Sequence, residues 1–245
     1  MSTSLRLVSP NVERSKHLDR IIPFLERIKP DVVCMQELME PDVPTIAKAL
    51  GAVSSLYAPM ALHDMNGAEA PMGVGIFSKI PFELSEIKQY AGYSGPLLWH
   101  DTTDAESRYN STAWILALGK IRKDDKLFTI GTTHFVWAAE GGTNELQKSA
   151  IKDLMELLDA EKEFVFCGDL NAPRGGEIFS LLASRYKDNV PEHYTASIDG
   201  SLHKAGALPY MVDGLFSTPG YSVTDFEMVE GVSDHKALVA TVSKQ

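Results

Sequence analysis

What this chain lacks narrows its class before any motif is considered. It has two cysteines in 245 residues, Cys34 and Cys167, each inside an apolar run. That usage gives no disulfide framework; a reduced cysteine in such a run behaves as a small hydrophobe. A disulfide between the two is not indicated. No stretch of about eighteen apolar residues is present to span a bilayer, and Met1 to Pro10 has no apolar segment with a basic flank. A cytoplasmic protein without stable membrane association is expected. Long basic runs are absent as well: Arg14-Ser15-Lys16 and Arg122-Lys123 read as short solvated turns, and the net charge is -10. A polyanion would be repelled at long range unless a local basic track or bound cations met it. Neither a G-x-G-x-x-G nor a Walker-type lysine follows the Gly73-Val74-Gly75 segment, which counts against a nucleotide-binding α/β domain. No linker, low-complexity segment or short-period repeat divides the chain, so residues 1–245 are expected to form a single domain.

What is present is organised around Phe164-Val165-Phe166-Cys167-Gly168-Asp169-Leu170-Asn171-Ala172-Pro173. An apolar strand runs into turn residues and delivers a carboxylate and an amide together at its end. Asp169 and Asn171, two residues apart, point to one side of an extended segment. Alone this reads as an Asx-capped turn. The pattern recurs, however. Leu5 to Val8 is a short strand with Asn11 just past it. A helix from about Ser15 to Ile28 precedes the strand Asp31–Met35, and Gln36-Glu37 stands at that strand's end. Pro44 to Leu50 reads as a short helix, and Met60 to Met72 as a surface loop holding His63. The region from Pro81 to Arg108 is less regular, with Asp101, Asp104 and Glu106 in a solvated acidic loop and His100 beside them. Strands Thr112–Leu118 and Lys126–Thr133 form a hairpin, and His134 follows the second. Asn144 is placed to cap a helix to Leu158, and a further helix is expected near Gly176 to Ser184. Asp213 sits in the apolar strand Val212–Ser217, where a carboxylate needs a partner. Ser233-Asp234-His235 leads into the last strand. About nine or ten strands with few helices between them suggest two packed sheets flanked by helices.

In order and context, Pro30-Asp31-Val32-Val33-Cys34-Met35-Gln36-Glu37, Gly168-Asp169-Leu170-Asn171 and Ser233-Asp234-His235 resemble the signatures of the endonuclease/exonuclease/phosphatase (DNase I-like) superfamily, over nearly the whole chain. The resemblance implies an α/β (α+β) fold, a four-layered α/β sandwich of two mainly antiparallel sheets with helices outside. It implies that Glu37 ligates a divalent metal, usually Mg2+ with Mn2+ as a substitute, with Asn11 in the same shell and Asp234 a further acidic member of the cluster. Asp169 would orient and deprotonate the attacking water, and Asn171 would hold a phosphate oxygen or the nucleophile. His235, paired with Asp213, would contact the phosphate. His134 matches a histidine that the DNase, sphingomyelinase and phosphatase branches place against the phosphate, which weighs mildly against the abasic-site branch. Residue chemistry supports the same roles: oxygen ligands suit a hard cation, imidazole donors stabilise phosphoryl charge, and a carboxylate behind an imidazole raises its pKa.

The expectation is a metal-dependent phosphoesterase that hydrolyses a phosphodiester or phosphomonoester by in-line attack of water. A nuclease acting on DNA or RNA is the alternative, and a catalytically silent binding member of the family a lesser one. The acidic composition tilts the substrate towards a small or lipid-like phosphoester or a nuclease that relies on metal for charge neutralisation. Protein partners are not indicated by any motif. His63 and His100 are assigned to loops that could border the cleft.

Overall fold

A computed structural model describes residues 3–244. Its elements follow in the order β1 Ser4–Ser9, α1 Leu18–Ile28, β2 Val32–Met39, α2 Val43–Leu50, β3 Ser54–Met65, β4 Ala68–Ser78, β5 Phe82–Gly92, α3 Ala105–Asn110, β6 Ala113–Lys123 and β7 Lys126–His134. Then come α4 Glu145–Ala160, β8 Val165–Asp169, α5 Glu177–Arg185, β9 Lys187–Asp188, β10 Asp213–Ser217, β11 Tyr221–Val229 and β12 Ala237–Lys244.

The strands form two six-stranded sheets, β11-β12-β1-β2-β4-β3 and β5-β6-β7-β8-β10-β9. Only β1/β2 and β7/β8 pair in parallel; the other pairs are antiparallel. The sequence explains the layering. Along β1 and β2, Leu5, Leu7, Val32 and Cys34 enter the core shared with the second sheet, together with Leu116, Leu118, Ile130 and Cys167. Their neighbours Val8, Val33 and Met35 instead pack against Ile21, Phe24 and Leu25 of α1 and Ile46 and Leu50 of α2. A strand covered on both faces reads as a continuous apolar run, with the two-residue period hidden. On the other side, Ile151, Leu154 and Leu158 of α4 and Ile178, Phe179 and Leu182 of α5 join the core of the second sheet. The result is the expected four-layered sandwich. Asn144 caps α4 as expected, accepting a hydrogen bond from the Gln147 N–H at 2.8 Å. Cys34 and Cys167 are both buried and free.

Several sequence expectations are corrected. There are twelve strands among the described residues, not nine or ten. Met60 to Met72 is not a loop: β3 and β4 pair from Ser54 to Met65, and Asn66-Gly67, both at positive φ, turn the hairpin while Asp64 accepts the Gly67 N–H. Polar side chains on a part-exposed hairpin disguised it. The irregular region after Pro81 contains β5, an edge strand whose Leu84 and Ile87 are exposed, so apolar periodicity could not mark a buried face. Asp104 caps α3, accepting the Ser107 N–H at 2.7 Å, and Glu106 lies within it; that acidic stretch is partly helical. Helix α1 begins at Leu18 instead of Ser15. Strand β2 runs past Met35 to Met39, with a register shift between Met35 and Leu38.

Candidate active site

That register shift in β2 is the first step in building the site. A bulge places two residues opposite one and re-aims the side chains. Gln36 turns inward, fully buried, donating to Thr132 Oγ1 of β7 at 2.9 Å, which ties the two sheets together. Glu37 takes a left-handed φ of 54° and stays partly exposed. Glu37 therefore stands within a bulged strand and not at a strand's end. Asn11, just past β1, bridges to Gln36 in parallel register.

The second sheet contributes a row. His134 ends β7, Asp169 ends β8 and Asp213 opens β10, and the three are register partners: His134 with Asp169 in parallel, Asp169 with Asp213 antiparallel. Paired residues project from one face of a sheet, so one imidazole and two carboxylates point together. Gly168 makes this close pairing feasible. Its φ is 149°, and a Cβ there would lie 2.1 Å from the Thr133 carbonyl oxygen. Asn171, at φ 48°, closes the following turn. Its N–H donates to Asp169 Oδ1 at 2.8 Å and its Nδ2 to the Phe135 carbonyl at 2.8 Å. Buried Gln147 of α4 holds both loops, donating to the carbonyls of Val136 at 2.7 Å and Asn171 at 3.2 Å.

Ser233-Asp234-His235 enters from the first sheet, before β12. Its backbone is clamped by the segment at Ser197: His235 bridges to Ile198, Asp199 N–H donates to the Asp234 carbonyl at 2.8 Å, and Ser197 Oγ accepts the N–H of Asp213 at 3.1 Å. His235 Nδ1 meets Asp213 Oδ2 at 2.8 Å, and its Nε2 lies 3.8 Å from Asp169 Oδ2. His134 Nε2 lies 3.6 Å from the same oxygen. From the other side, Asn11 Nδ2 donates to Asp169 Oδ2 at 3.1 Å and to Glu37 Oε1 at 3.3 Å. The two sheets thus meet at one carboxylate oxygen. All eight residues singled out in the sequence, Asn11, Glu37, His134, Asp169, Asn171, Asp213, Asp234 and His235, converge at this end of the sandwich.

Electrostatics sharpen the picture. Burial alone would pull the His235 imidazole down, but the carboxylates of Asp213 and Asp169 outweigh it and hold its pKa well above the ordinary range. His235 is therefore a charged donor at neutral pH, with Asp213 as its counter-ion. Asp234 is pushed up to about 6, by burial first and then by the charges of Glu37 and Glu13. Carboxylates that sense one another in this way, all with oxygen donors, fit a hard divalent cation. Glu37 and Asp234 would hold it. Asn11 lies near Glu37 but turns its amide N–H to the carboxylates, while its Oδ1 accepts the Glu13 N–H at 3.0 Å. Asp169, Asp213 and His235 also bring ligand atoms within 4.8 Å of one another. We read that trio as a hydrogen-bonded relay, because His235 Nδ1 already pairs with Asp213 Oδ2 at 2.8 Å.

Asp234→Asn gives a pH test of this cluster in metal-free buffer. A carboxyl with a pKa of about 6 when folded and its ordinary 3.8 when unfolded costs stability at neutral pH, and the cost shrinks as pH falls through 6 and is gone below 3.8. Between pH 7 and 5 the wild type should gain melting temperature relative to the variant. Parallel curves would show that Asp234 faces no such charge.

His63 and His100, assigned to loops from the sequence, have a defined setting. His63, near the end of β3, packs against His100 with ring centroids 4.6 Å apart and planes tilted by 31°. Burial first, then the charges of Arg14 and other cations, lowers His63 to about 4, and burial with His63 and Arg108 lowers His100 to about 3. His100 is held in place by pairing of residues 98–100 with Leu62 and by Thr112 Oγ1 at 2.9 Å. The charges of Arg14, Arg108 and His134 all reach this histidine pair. His63 lies in β3 and not in a loop; neither arginine carried a sequence signal, because a lone arginine reads as a solvated charge.

A family model described as the Endonuclease/Exonuclease/phosphatase family matches residues 8–235. The fold is similar to that of an endonuclease/exonuclease/phosphatase from Beutenbergia cavernae, with a TM-score of 0.76 and 16% identity over 98% of this chain and 72% of that one. It is similar to the human nocturnin catalytic domain with bound sulfate anion, at TM-score 0.76 and 16% identity over 99% and 94% of the two chains. It is also similar to D. rerio TDP2 complexed with single strand DNA product, at TM-score 0.67 and 17% identity over 99% and 100%. No curated protein sequence matches.

Proposed function

Because the chain belongs to the endonuclease/exonuclease/phosphatase family, whose members act on phosphoester bonds, we propose that it is a divalent-metal-dependent phosphoesterase that hydrolyses its substrate by in-line attack of water. The observation that carries this reading is the convergence of His134, His235 and Asn11 on Asp169 Oδ2, with Asp213 behind His235. A catalytically silent member would be expected to have lost one of these groups.

In this mechanism Asp169 orients a water and takes its proton. Its Oδ1 is fixed by the Asn171 N–H and its Oδ2 by Asn11, so the carboxylate cannot rotate away. His235, held charged by Asp213, donates to a phosphoryl oxygen as negative charge builds there. His134, with the edge of the Trp114 ring against it at 6.5 Å, presents a second imidazole to the same space. A magnesium or manganese ion held by Glu37 and Asp234 would supply charge neutralisation and polarise the phosphoryl group. Sulfate in nocturnin and a DNA product in TDP2 accord with a site for phosphate-like anions and leave nucleic acid among the substrates of this fold. The net charge of -10 favours small phosphoesters for this chain. Among the described residues no helix is long and apolar enough to cross a membrane.

The test is hydrolysis of bis(p-nitrophenyl) phosphate, followed by labelled duplex DNA, abasic duplex and single-stranded RNA, with Asp169→Ala as control. Turnover should need magnesium or manganese and stop in EDTA. Turnover that persists in EDTA would overturn the metal dependence, and hydrolysis unaffected by Asp169→Ala would overturn the site.

A further inference from the structure

The turn that carries Asp169 is fastened by a helix side chain for which the hydrolytic cluster itself has no use. Gln147 lies in the first turn of α4, three residues after the cap Asn144, whose Oδ1 accepts the Gln147 N–H at 2.8 Å. A glutamine three residues after a cap commonly reaches back to the backbone N–H of the capping residue. Gln147 points elsewhere. Its Nε2 donates to the Val136 carbonyl at 2.7 Å and to the Asn171 carbonyl at 3.2 Å. The side chain is 0% exposed, and its Oε1 has no partner among the described residues. Burying an amide with its acceptor unmet costs stability, so filling space does not account for a glutamine here.

What the amide secures is a set of cross-links between the segment after β7 and the turn after β8. The Phe135 N–H donates to the Asp169 carbonyl at 2.8 Å, and Asn171 Nδ2 donates back to the Phe135 carbonyl at 2.8 Å. The Asn171 N–H donates to Asp169 Oδ1 at 2.8 Å. Gln147 spans both segments one residue further on, at Val136 and Asn171. Asn171 sits at φ 48°, a left-handed conformation that a residue with a side chain keeps only when its surroundings hold it there. The carbonyl that Gln147 grips belongs to that same residue. Were the turn to relax, the Asn171 N–H would leave Oδ1, and the Asp169 carboxylate would be freer to rotate.

We propose that Gln147 is a positioning residue for the hydrolysis: by holding the Val136 and Asn171 carbonyls it keeps the turn 169–171 closed and the Asp169 carboxylate aimed at the attacking water. The inference rests on the phosphoesterase reading above and adds to it a residue that acts only through Asp169.

The test is Gln147→Met, which keeps the unbranched shape and removes the donor, with Gln147→Leu as a second variant and a thermal melt for each. On bis(p-nitrophenyl) phosphate kcat should fall about a hundred-fold, as for a catalytic group displaced by an ångström, while KM stays within about two-fold because no substrate contact is lost. The same substitution is then made in Asp169→Asn. With no general base left to aim, Gln147→Met should change the remaining turnover by less than about two-fold. An equal loss in both backgrounds, or a raised KM with kcat unchanged, overturns the proposal. A second readout needs neither metal nor turnover. In Gln147→Met the Asn171 amide should exchange its hydrogen at least about ten-fold faster, while the Phe166 and Cys167 amides of β8 keep their protection. Unchanged protection at Asn171 also overturns the proposal. If the native protein hydrolyses no phosphoester while the Asn171 amide still loosens in the variant, the hydrolytic reading fails and the hold of Gln147 on the turn stands.

Discussion

Replacing Asp169 by Asn should reduce turnover by about three to four orders of magnitude, the contribution of a positioned general base, while the protein remains folded. Asparagine has nearly the volume of aspartate and can still accept the Asn171 N–H at the position of Oδ1. What it cannot do is take a proton. It also removes the charge toward which Asn11, His134 and His235 are directed. Asp169 is 2% exposed, and burial first, with the Asp169 charge adding to it, pushes up the pKa of neighbouring Asp213, so neutralising Asp169 relieves a repulsion and the fold should be kept. The measurement is kcat on bis(p-nitrophenyl) phosphate beside a thermal melt. Near-normal turnover with an unchanged melt would remove Asp169 from the chemistry.

His235→Ala should cost about two to four orders of magnitude in turnover, the range found for acid–base and oxyanion-stabilising groups. Asp213→Asn is the more informative partner variant, because it separates charge from contact. In the native protein Asp213 and Asp169 hold His235 charged against the pull of burial. Activity that needs the imidazolium is retained below the folded pKa and lost as pH rises through it. Without the Asp213 charge, burial acts on His235 opposed mainly by Asp169, so its pKa falls and the alkaline limb of the pH–rate profile should move to lower pH. Turnover at neutral pH should drop about a hundred-fold, as for loss of one preorganised electrostatic group. An alkaline limb that does not move in Asp213→Asn would show that His235 acts uncharged or not at all.

Both experiments address residues that could be read from the sequence, and the reason is local chemistry. Gly168-Asp169-Leu170-Asn171 announces a strand end followed by a turn whatever surrounds it. Gly168 was needed for a backbone approach to Thr133 that no side chain allows, and Asn171 for a left-handed φ. Asp213 stood out as a carboxylate in an apolar strand, and its partner proved to be His235. Glu37 was found by its motif but misplaced, because a bulge is set by pairing with β4 and leaves no mark on the composition of β2. The β3–β4 hairpin and β5 were missed because polar or exposed strands carry no clear apolar period, and their pairing is decided by the neighbouring strand.

The sequence alone therefore determined the layered α/β architecture, through apolar runs and their turns, and the identities of the groups at the hydrolytic cluster, through short motifs whose turn chemistry is local. Tertiary structure decided which of those groups meet: β1, β2 and the turn before β12 supply one side, β7, β8 and β10 the other, and packing of the two sheets brings Asn11 onto Asp169. It alone set His63 against His100 and the Arg108 guanidinium over the Trp137 ring. A single arginine or histidine in a polar segment has a solvated default, and only the fold gives it fixed neighbours.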